Sequence, residues 1–217
     1  MIEGHFIVIE GIDGAGTTTQ AQRLAEHLQG RGLPVCVTHE PTTGPVGALL
    51  RQALTHRFVV PGTHGVRPPS WRTMAMLFAA DRLDHLDSEI MPNLFDGVTV
   101  ICDRYDLSSL AYQSATANDA DAAVDWLRAL NAHARRPDLT LVVNVPAEVA
   151  AQRRRRRGQA EELYEHDELQ RRLADAYRQA ERLVPGDRLV HIDGAAPLEE
   201  VTAAIVREVE KLRSGKE

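Results

Sequence analysis

The sequence lacks a long apolar run and an excess of positive charge, and each absence excludes a class of protein. No apolar stretch approaches the roughly 18 residues of a membrane-spanning helix. The N-terminal stretch MIEGHFIVIE has no basic region ahead of a long apolar one, so no signal peptide is predicted. The formal net charge of −6 gives no reason to expect nucleic-acid binding. We therefore expect a cytoplasmic protein with neither a membrane nor a nucleic acid as partner.

Cysteine and lysine are both scarce. The two cysteines, Cys36 and Cys102, fall in predicted strands, and we expect them to be reduced, as in cytoplasmic proteins. Of the 25 basic residues only Lys211 and Lys216 are lysines, and both lie in the C-terminal tail. Any cation that binds phosphate in the rest of the chain must therefore be an arginine.

Short apolar runs alternate with helical patterns along the 217 residues, which are enough for one domain with a sizeable core. This alternation predicts an α/β fold, in which helices cover both faces of a mostly parallel sheet. Ser70 is predicted to cap a long helix that Pro92 bends or ends. The predicted strands are residues 5–10, 34–38, 98–102, 138–144 and 188–192, and further helices are predicted at 106–115, 120–133, 147–157, 166–184 and 197–213.

The first predicted strand runs directly into the glycine-rich stretch GIDGAGTTTQ, residues 11–20. Its glycines allow a tight turn whose N–H groups point at phosphate oxygens, and the following helix adds its N-terminal partial positive charge. The usual pattern is G-x-x-x-x-G-K-[ST], and it puts the hydroxyl of Thr18 on Mg²⁺. The lysine position, however, holds Thr17. The sequence therefore predicts a phosphate-binding loop without its usual cation.

Two further stretches carry residue pairs suited to a nucleotide. In VICDRYDLSSLAYQ, residues 100–113, Asp103 and Arg104 follow a strand, where a guanidinium can bind phosphate and a carboxylate can hold Mg²⁺ through water. In FAADR, Phe78 and Arg82 are four residues apart on one helix face, a ring to stack on a base beside a fork to bond its edge. Each pair alone also fits a structural role.

Two segments look irregular. HRFVVPGTHGVRPP, residues 56–69, is rich in proline and glycine and is predicted to be a long loop, suggestive of a function or an insertion. QRRRRRGQ contains five consecutive arginines, of which Arg153, Arg156 and Arg157 are expected to share a helix face. The run fits either a solvated basic helix end or a lid, at about residues 153–166, that supplies arginine to ATP.

The order and spacing of six stretches resemble the thymidylate kinase family, whose members are nucleoside monophosphate kinases of the P-loop class. The resemblance covers nearly the whole chain. It implies a single kinase domain over residues 1–217, with a P-loop NTPase three-layer fold, five parallel strands, a short lid and usually a homodimer. The stretches are FIVIEGIDGAG, HEPTTGPVGALLR, LFAADRLDHLDSEIMPNL, GVTVICDRYDLSSLAYQ, RPDLTL and IDGAAPLEEV.

The resemblance implies transfer of the γ-phosphoryl group of ATP to dTMP, giving dTDP, with Mg²⁺. By position, Asp13 would bind the sugar 3′-hydroxyl near the metal, and Arg104 would hold the monophosphate. Phe78 would stack on thymine, Arg82 would bond its O4, and Tyr112 would close over the sugar. The remaining implied dTMP-binding residues are Arg51, Ser109 and Gln113. The implied ATP loop consists of Gly11, Ile12, Asp13, Gly14, Ala15, Gly16, Thr17, Thr18 and Thr19. The metal candidates are Thr18 and Asp103, and the catalytic candidates are Asp13, Asp103, Arg104, Arg153 and Arg157.

The departures from the family pattern all fall in the implied site. Thr17 replaces the loop lysine, and Leu163 stands where the lid has an arginine. Residues 39–44, HEPTTG, replace R-E-P-G-G-T, and Asn144 replaces a strand-end aspartate.

We hypothesise that one or more of Arg153, Arg156 and Arg157 replaces the missing lysine. Losing one preorganised donor costs on the order of 10²–10³ in rate, and an arginine finger contributes roughly 10³–10⁵, so the exchange is feasible. Two alternatives stay open. The chain could be a kinase of the same fold for dUMP, another pyrimidine monophosphate or a deoxynucleoside, or a nucleotide-binding relative that has lost turnover.

Overall fold

The computed structural model describes residues 4–63, 65–117, 119–157, 163–164 and 166–215. The strands are β1 (Phe6–Glu10), β2 (Val35–His39), β3 (Val60–Gly62), β4 (Gly65–Arg67), β5 (Thr99–Asp103), β6 (Leu139–Asn144) and β7 (Leu189–Asp193). Five of them form a parallel sheet in the order β2-β5-β1-β6-β7. This confirms the predicted fold class, and the ends of the five predicted strands are correct to within one residue.

The central strand β1 is buried on both faces of the sheet. Its alternate residues Phe6 and Val8 pack in one cluster with residues of the 86–95 segment. Ile7 and Ile9 point the other way, into the larger cluster. A strand covered on both sides must be apolar throughout, which explains the uninterrupted run FIVI.

The helices are α1 (Thr17–Gly30), α2 (Pro45–Leu54), α3 (Trp71–His85), α4 (Met91–Phe95), α5 (Asp106–Thr116), α6 (Ala120–Leu130), α7 (Ala147–Arg157), α8 (Asp167–Arg178), α9 (Ala180–Leu183) and α10 (Leu198–Arg213). The Ser70 hydroxyl accepts the Thr73 N–H at 3.2 Å, so the predicted cap is present. The long helix that it starts is not uniform, since a π-helical turn at Leu86–Ile90 links α3 to α4. In the described part of the chain, no helix combines the length and apolarity that a bilayer crossing requires.

Two segments differ from their predicted structure. Residues 56–69 are not an irregular loop throughout, because β3 and β4 pair as an antiparallel hairpin. Gly65, at φ 117°, supplies a backbone conformation that other residues rarely adopt. The helix predicted at 166–184 breaks at Gln179 into α8 and α9. Six residues of the predicted lid, 158–162 and 165, lie outside the described residues.

Candidate active site

A cavity opens beside the carboxyl ends of β1 and β5, where ligands bind in parallel sheets. It brings together seven of the eight residues predicted to bind dTMP, and only Arg51 is not in its wall. These residues come from the glycine loop, α3 and the β5–α5 segment, so the fold gathers stretches that are far apart in sequence. The cavity is lined by Asp13, Glu40, Pro41, Leu54, Phe78, Arg82, Arg104, Tyr105, Ser108, Ser109, Tyr112, Gln113 and Tyr164.

Arg82 is fixed in the floor of this cavity, with 1% of its surface exposed. One terminal nitrogen donates to Asn131 Oδ1 at 2.5 Å. The other donates to Glu40 Oε2 at 2.7 Å and to Ser109 Oγ at 3.0 Å. Burial is the largest single influence and lowers the pKa of Arg82, but Glu40, Asp106 and Tyr105 together raise the pKa above its ordinary value. The guanidinium is therefore charged and held in one orientation.

Gln113 and Phe78 complete the part of the cavity that suits a flat ring. Gln113 is fully buried, and its Oε1 has no hydrogen-bond partner among the described residues. Buried polar atoms are rarely left unpaired, so this oxygen is available to a ligand donor. The ring of Tyr164 packs edge-on against Tyr112, with 5.4 Å between centroids.

Asp13 and Arg104 form an ion pair at the boundary between the cavity and the glycine loop. Arg104 Nη2 donates to Asp13 Oδ1 at 2.7 Å. Its Nη1 contacts Ser108 Oγ and the Tyr112 hydroxyl, each at 3.3 Å. Burial lowers the pKa of Arg104, while Tyr112 and Asp13 are foremost among the groups that raise it. The net result is a pKa well above the ordinary value. Arg104 thus keeps its charge and directs it into the cavity.

Behind Arg104, Glu10 is completely buried at the end of β1. Its carboxylate accepts the N–H groups of Tyr105 and Ser108 and the hydroxyls of Ser108 and Tyr177, at 2.6–3.1 Å. Burial raises the pKa of Glu10 to about 7, although the hydrogen bond from Ser108 opposes the shift. Glu10 therefore anchors the start of α5, on which the Arg104 contacts depend.

The glycine loop has the backbone form that a phosphate cradle needs. Gly14 and Gly16 have φ values of 91° and 97°, which suit glycine alone. A Cβ on Gly14 would lie 2.6 Å from the carbonyl oxygen of Ala150, so glycine also lets α7 approach the loop. Thr17 is buried, with its methyl group beside Gly11.

Thr18 and Asp103, both predicted as metal ligands, are in contact. The Thr18 hydroxyl donates to Asp103 Oδ2 at 2.5 Å, and Thr18 is exposed. Asp103 Oδ1 has no hydrogen-bond partner in the described part of the chain. A hydroxyl and a carboxylate at the mouth of a phosphate loop fit Mg²⁺, which takes few protein ligands and completes its shell with water and phosphate oxygens.

The arginine run reaches the glycine loop through Arg153, one of the three arginines expected there, and through Arg154. Arg153 donates to the carbonyl oxygens of Ala15 at 3.3 Å and Gly194 at 3.0 Å. Arg154, which was not among the arginines expected at the loop, donates to the carbonyl oxygen of Asp13 at 2.6 Å. Arg156 is exposed, and the side chain of Arg157 lies outside the described residues. The Cγ of Arg154 lies beside Gly14, so this side chain faces the loop, which spacing along the chain does not reveal.

Arg51 is not among the residues that line this cavity. Its guanidinium donates to the carbonyl oxygens of Pro41, at 3.1 Å, and Thr42. It therefore braces the loop between β2 and α2, and its part in binding dTMP stays a prediction.

Several polar residues of the site were not among the predicted site residues. Glu40 lies in the quoted HEPTTG stretch, and its role follows only from its contact with Arg82. Asn131 and Gln170 lie in helical segments without a motif, and Arg154 was not among the arginines expected at the loop. The others are Glu10, Tyr105, Ser108 and Tyr164. The signal that each gives is a contact with another site residue, which a single sequence does not display.

Comparison with known proteins bears on this geometry. The sequence profile described as thymidylate kinase matches residues 9–205. The chain belongs to the thymidylate kinase family. It is 38% identical over 205 residues to a probable thymidylate kinase of Pyrococcus horikoshii, covering 94% of this chain and 95% of the relative. It is 40% identical over 207 residues to the thymidylate kinase of Dinoroseobacter shibae, with 94% and 95% covered. A putative thymidylate kinase of Treponema pallidum is 34% identical over 215 residues, with 96% of each chain covered.

Membership of the thymidylate kinase family connects the glycine loop and the cavity as two parts of one site. The loop lies where a P-loop precedes its helix, and the cavity lies beside it across Asp13 and Arg104. The chain therefore has the two adjacent compartments that transfer between two nucleotides requires, with threonine at the loop's lysine position.

Proposed function

We propose that the chain transfers the γ-phosphoryl group of ATP to dTMP, releasing ADP and dTDP. The observation that carries the proposal is the convergence of Asp13, Phe78, Arg82, Arg104 and Gln113 in one cavity beside the glycine loop. Phosphoryl transfer needs little covalent help from the protein, but it needs positioning and positive charge on the transferred oxygens. The cavity would position the acceptor, and the loop would position the donor.

In the acceptor cavity, the base is recognised by its imide edge. Phe78 stacks on thymine, and Arg82 donates a hydrogen bond to O4. The free Oε1 of Gln113 accepts the N3–H. Cytosine presents an acceptor at N3 and an amino group at the next position, so both contacts would become unfavourable. Ser109 holds Arg82 in the required orientation.

The phosphate and sugar of dTMP lie against Arg104, Asp13 and Tyr112. The Arg104 fork binds the monophosphate, for which planar guanidinium geometry is well suited. Asp13 accepts the sugar 3′-hydroxyl, and Tyr112 closes over the sugar ring, where a ribose 2′-hydroxyl would clash. Arg51 acts indirectly, by holding the loop of residues 41–42.

On the donor side, the backbone N–H groups of residues 11–19 hold the ATP phosphates at the N-terminus of α1. Thr18 and Asp103 would hold Mg²⁺. The metal would supply positive charge at the phosphate oxygens. Asp13 lies between the two compartments, because its side chain contacts Arg104 and its backbone belongs to the loop.

Arg153 and Arg154 take the part of the missing lysine. Both guanidiniums already donate to the loop region, at the carbonyl oxygens of Ala15 and Asp13. Hydrogen bonds to an anion are roughly twice as strong as those to a neutral carbonyl. An arriving triphosphate would therefore draw these side chains from the backbone onto its own oxygens.

We further propose that the chain is one kinase domain, acts in the cytoplasm and forms a homodimer. Cys36 and Cys102 are both free, which suits a reducing compartment. Met76 and Leu83, two turns apart on α3, are 59% and 44% exposed and offer an apolar strip for a second copy. Analytical ultracentrifugation tests the dimer, and a single species of about 24 kDa would contradict it.

The experiment that tests the function is a coupled assay of ADP release with ATP, Mg²⁺ and dTMP. Chromatography should identify dTDP as the product, and dUMP, dCMP and dGMP serve as competing acceptors. Turnover with dTMP above all others is the expected result. Turnover with a different acceptor would replace dTMP in the proposal. Calorimetric binding of dTMP without dTDP formation would mean that the loop holds phosphate but no longer transfers it.

A further inference from the structure

Gln170 is the fourth residue of α8, and its side chain is completely buried. Its Nε2 donates to Asp13 Oδ2 at 3.1 Å and to the carbonyl oxygen of Tyr164 at 2.8 Å. Its Oε1 accepts from Arg154 Nη1 at 3.3 Å. The amide thus uses both of its N–H groups and its oxygen within the site, although no step of the proposed reaction involves it.

The three partners of Gln170 belong to different regions of the site. Tyr164 lines the acceptor cavity, and Asp13 lies between the acceptor and the glycine loop. Arg154 reaches the loop from α7, and the same Nη1 also donates to the backbone oxygen of Asp13 at 2.6 Å. Asp13, Arg154 and Gln170 therefore form a closed triangle of hydrogen bonds. A shift of any one of them disturbs the other two.

Glutamine is the side chain that this position requires. Two acceptors, the partly buried Asp13 carboxylate and the buried carbonyl oxygen of Tyr164, receive its N–H groups, while the Arg154 guanidinium receives an acceptor. A glutamate would accept only, and would face the Asp13 carboxylate with a second negative charge. A leucine would fill the volume but leave the buried Tyr164 oxygen without this donor.

We propose that Gln170 is a positioning residue that couples the acceptor cavity to the donor side. When dTMP fixes Asp13 and Tyr164, Gln170 fixes Arg154 at the loop, where the ATP phosphates bind. Each substrate then raises the affinity for the other by the same factor, because coupling between two sites is reciprocal. The proposal rests on the proposed function, since it takes dTMP and ATP as the two ligands.

The test is calorimetry with dTMP and a non-hydrolysable ATP analogue in the presence of Mg²⁺. The Kd of each ligand is measured with and without saturating concentrations of the other. The wild type is compared with Gln170→Leu and Gln170→Glu, and with Gln179→Leu, which removes an exposed amide at the end of the same helix. We expect coupling on the order of 5–100-fold in the wild type and in Gln179→Leu. In both Gln170 variants the factor should fall to about one, which is the value for independent sites.

Wild-type coupling in either folded Gln170 variant would overturn the proposal. Thermal melting identifies a variant that does not fold, and Gln170→Glu decides if the leucine variant fails, because it keeps the shape and the oxygen that faces Arg154. An uncoupled wild type would also overturn the proposal, while dTDP formation in the same preparation would still support the kinase. Absence of dTMP binding by the wild type would overturn both.

Discussion

The acceptor and donor compartments are built from opposite kinds of contact. In the acceptor cavity, Arg82 and Arg104 bond carboxylates, an amide and hydroxyls in buried networks. On the donor side, Arg153 and Arg154 bond the carbonyl oxygens of the loop itself. In the first arrangement, charged and polar side chains hold both guanidiniums before a ligand arrives. In the second arrangement, guanidiniums donate to neutral backbone oxygens at the loop, and a phosphate can replace those contacts.

This difference explains how the loop can lack its lysine. A lysine at residue 17 would place its charge from inside the loop, at the start of α1. The arginines place theirs from outside, on α7, and the glycine at residue 14 lets that helix come close enough. In the acceptor cavity, a cation from another element cannot replace Arg82 or Arg104 in this way, because several side chains hold each guanidinium in place. Four predictions test the contrast, beginning with the largest expected effect.

Arg104→Ala should be the most damaging change. It removes the proposed phosphate ligand and leaves Asp13 Oδ1 without its ion-pair partner. Losing one preorganised donor costs on the order of 10²–10³, and we expect kcat/KM for dTMP to fall by at least that much. Steady-state kinetics provide the measurement, with Arg207→Ala, at an exposed position on α10, as control. A fall no larger than in the control would remove Arg104 from the mechanism.

A double-mutant cycle tests whether the arginines of α7 replace the missing lysine on the donor side. Replacing both Arg153 and Arg154 with alanine should lower kcat on the order of 10²-fold. Thr17→Lys should restore much of that loss in the double variant, yet change the wild type little, because the arginines already supply the charge. Single-turnover rates for the four combinations measure the coupling.

Arg155→Ala is the matched control for this cycle. Arg155 belongs to the same run, but it contacts the carbonyl oxygen of Ala151 in its own helix. Equal losses in Arg155→Ala and in the pair would show that only the net charge of α7 matters. Equal gains from Thr17→Lys in both backgrounds would show that lysine and arginines act independently.

The same contrast marks the limit of what the sequence predicts. The acceptor residues lie at the ends of strands and on one helix face, where backbone periodicity fixes their direction. Phe78, Arg82 and Arg104 were singled out from such positions, Gln113 came from the family resemblance, and all four line one cavity. The role of Arg154 depends on its contact with the loop, and that of Gln170 on burial against three partners. Neither property follows from spacing along the chain.

The local structure was predictable to a similar degree. The uninterrupted apolar runs located all five sheet strands, since buried parallel strands tolerate few polar residues. The hairpin of β3 and β4 was missed, because three residues per strand give too short an alternation to distinguish from a loop. The break at Gln179 was missed because α8 and α9 share one continuous apolar pattern.

Phe78→Ala should have a smaller effect, confined to the acceptor. Stacking on a base contributes about 1–3 kcal/mol, so the Kd for dTMP should rise roughly 5- to 150-fold. The Kd of an ATP analogue should stay unchanged, because Phe78 lies in the acceptor cavity. Calorimetry measures both, and Phe95→Ala, at a 60% exposed position, is the aromatic control. Equal weakening of both nucleotides would contradict the separation of the two compartments.

Glu10→Gln should change turnover least, but it tests whether burial of the Glu10 carboxyl group lowers the stability of the protein as this group ionises. Burial raises the pKa of Glu10 from 4.5 to about 7, so between these values the folded protein holds a proton that the unfolded chain has lost. Stability should therefore fall as the pH rises through this window, by about 3 kcal/mol in all. Glutamine cannot ionise, so the unfolding free energy of Glu10→Gln should not show this decline. Between pH 5 and pH 8, the wild type should therefore lose more unfolding free energy than the variant. Denaturant unfolding at pH 5, 6, 7 and 8 measures the difference, with exposed Glu168→Gln as control. Parallel curves for Glu10→Gln and the wild type would mean that the four hydrogen bonds to the carboxylate fully offset the cost of its burial.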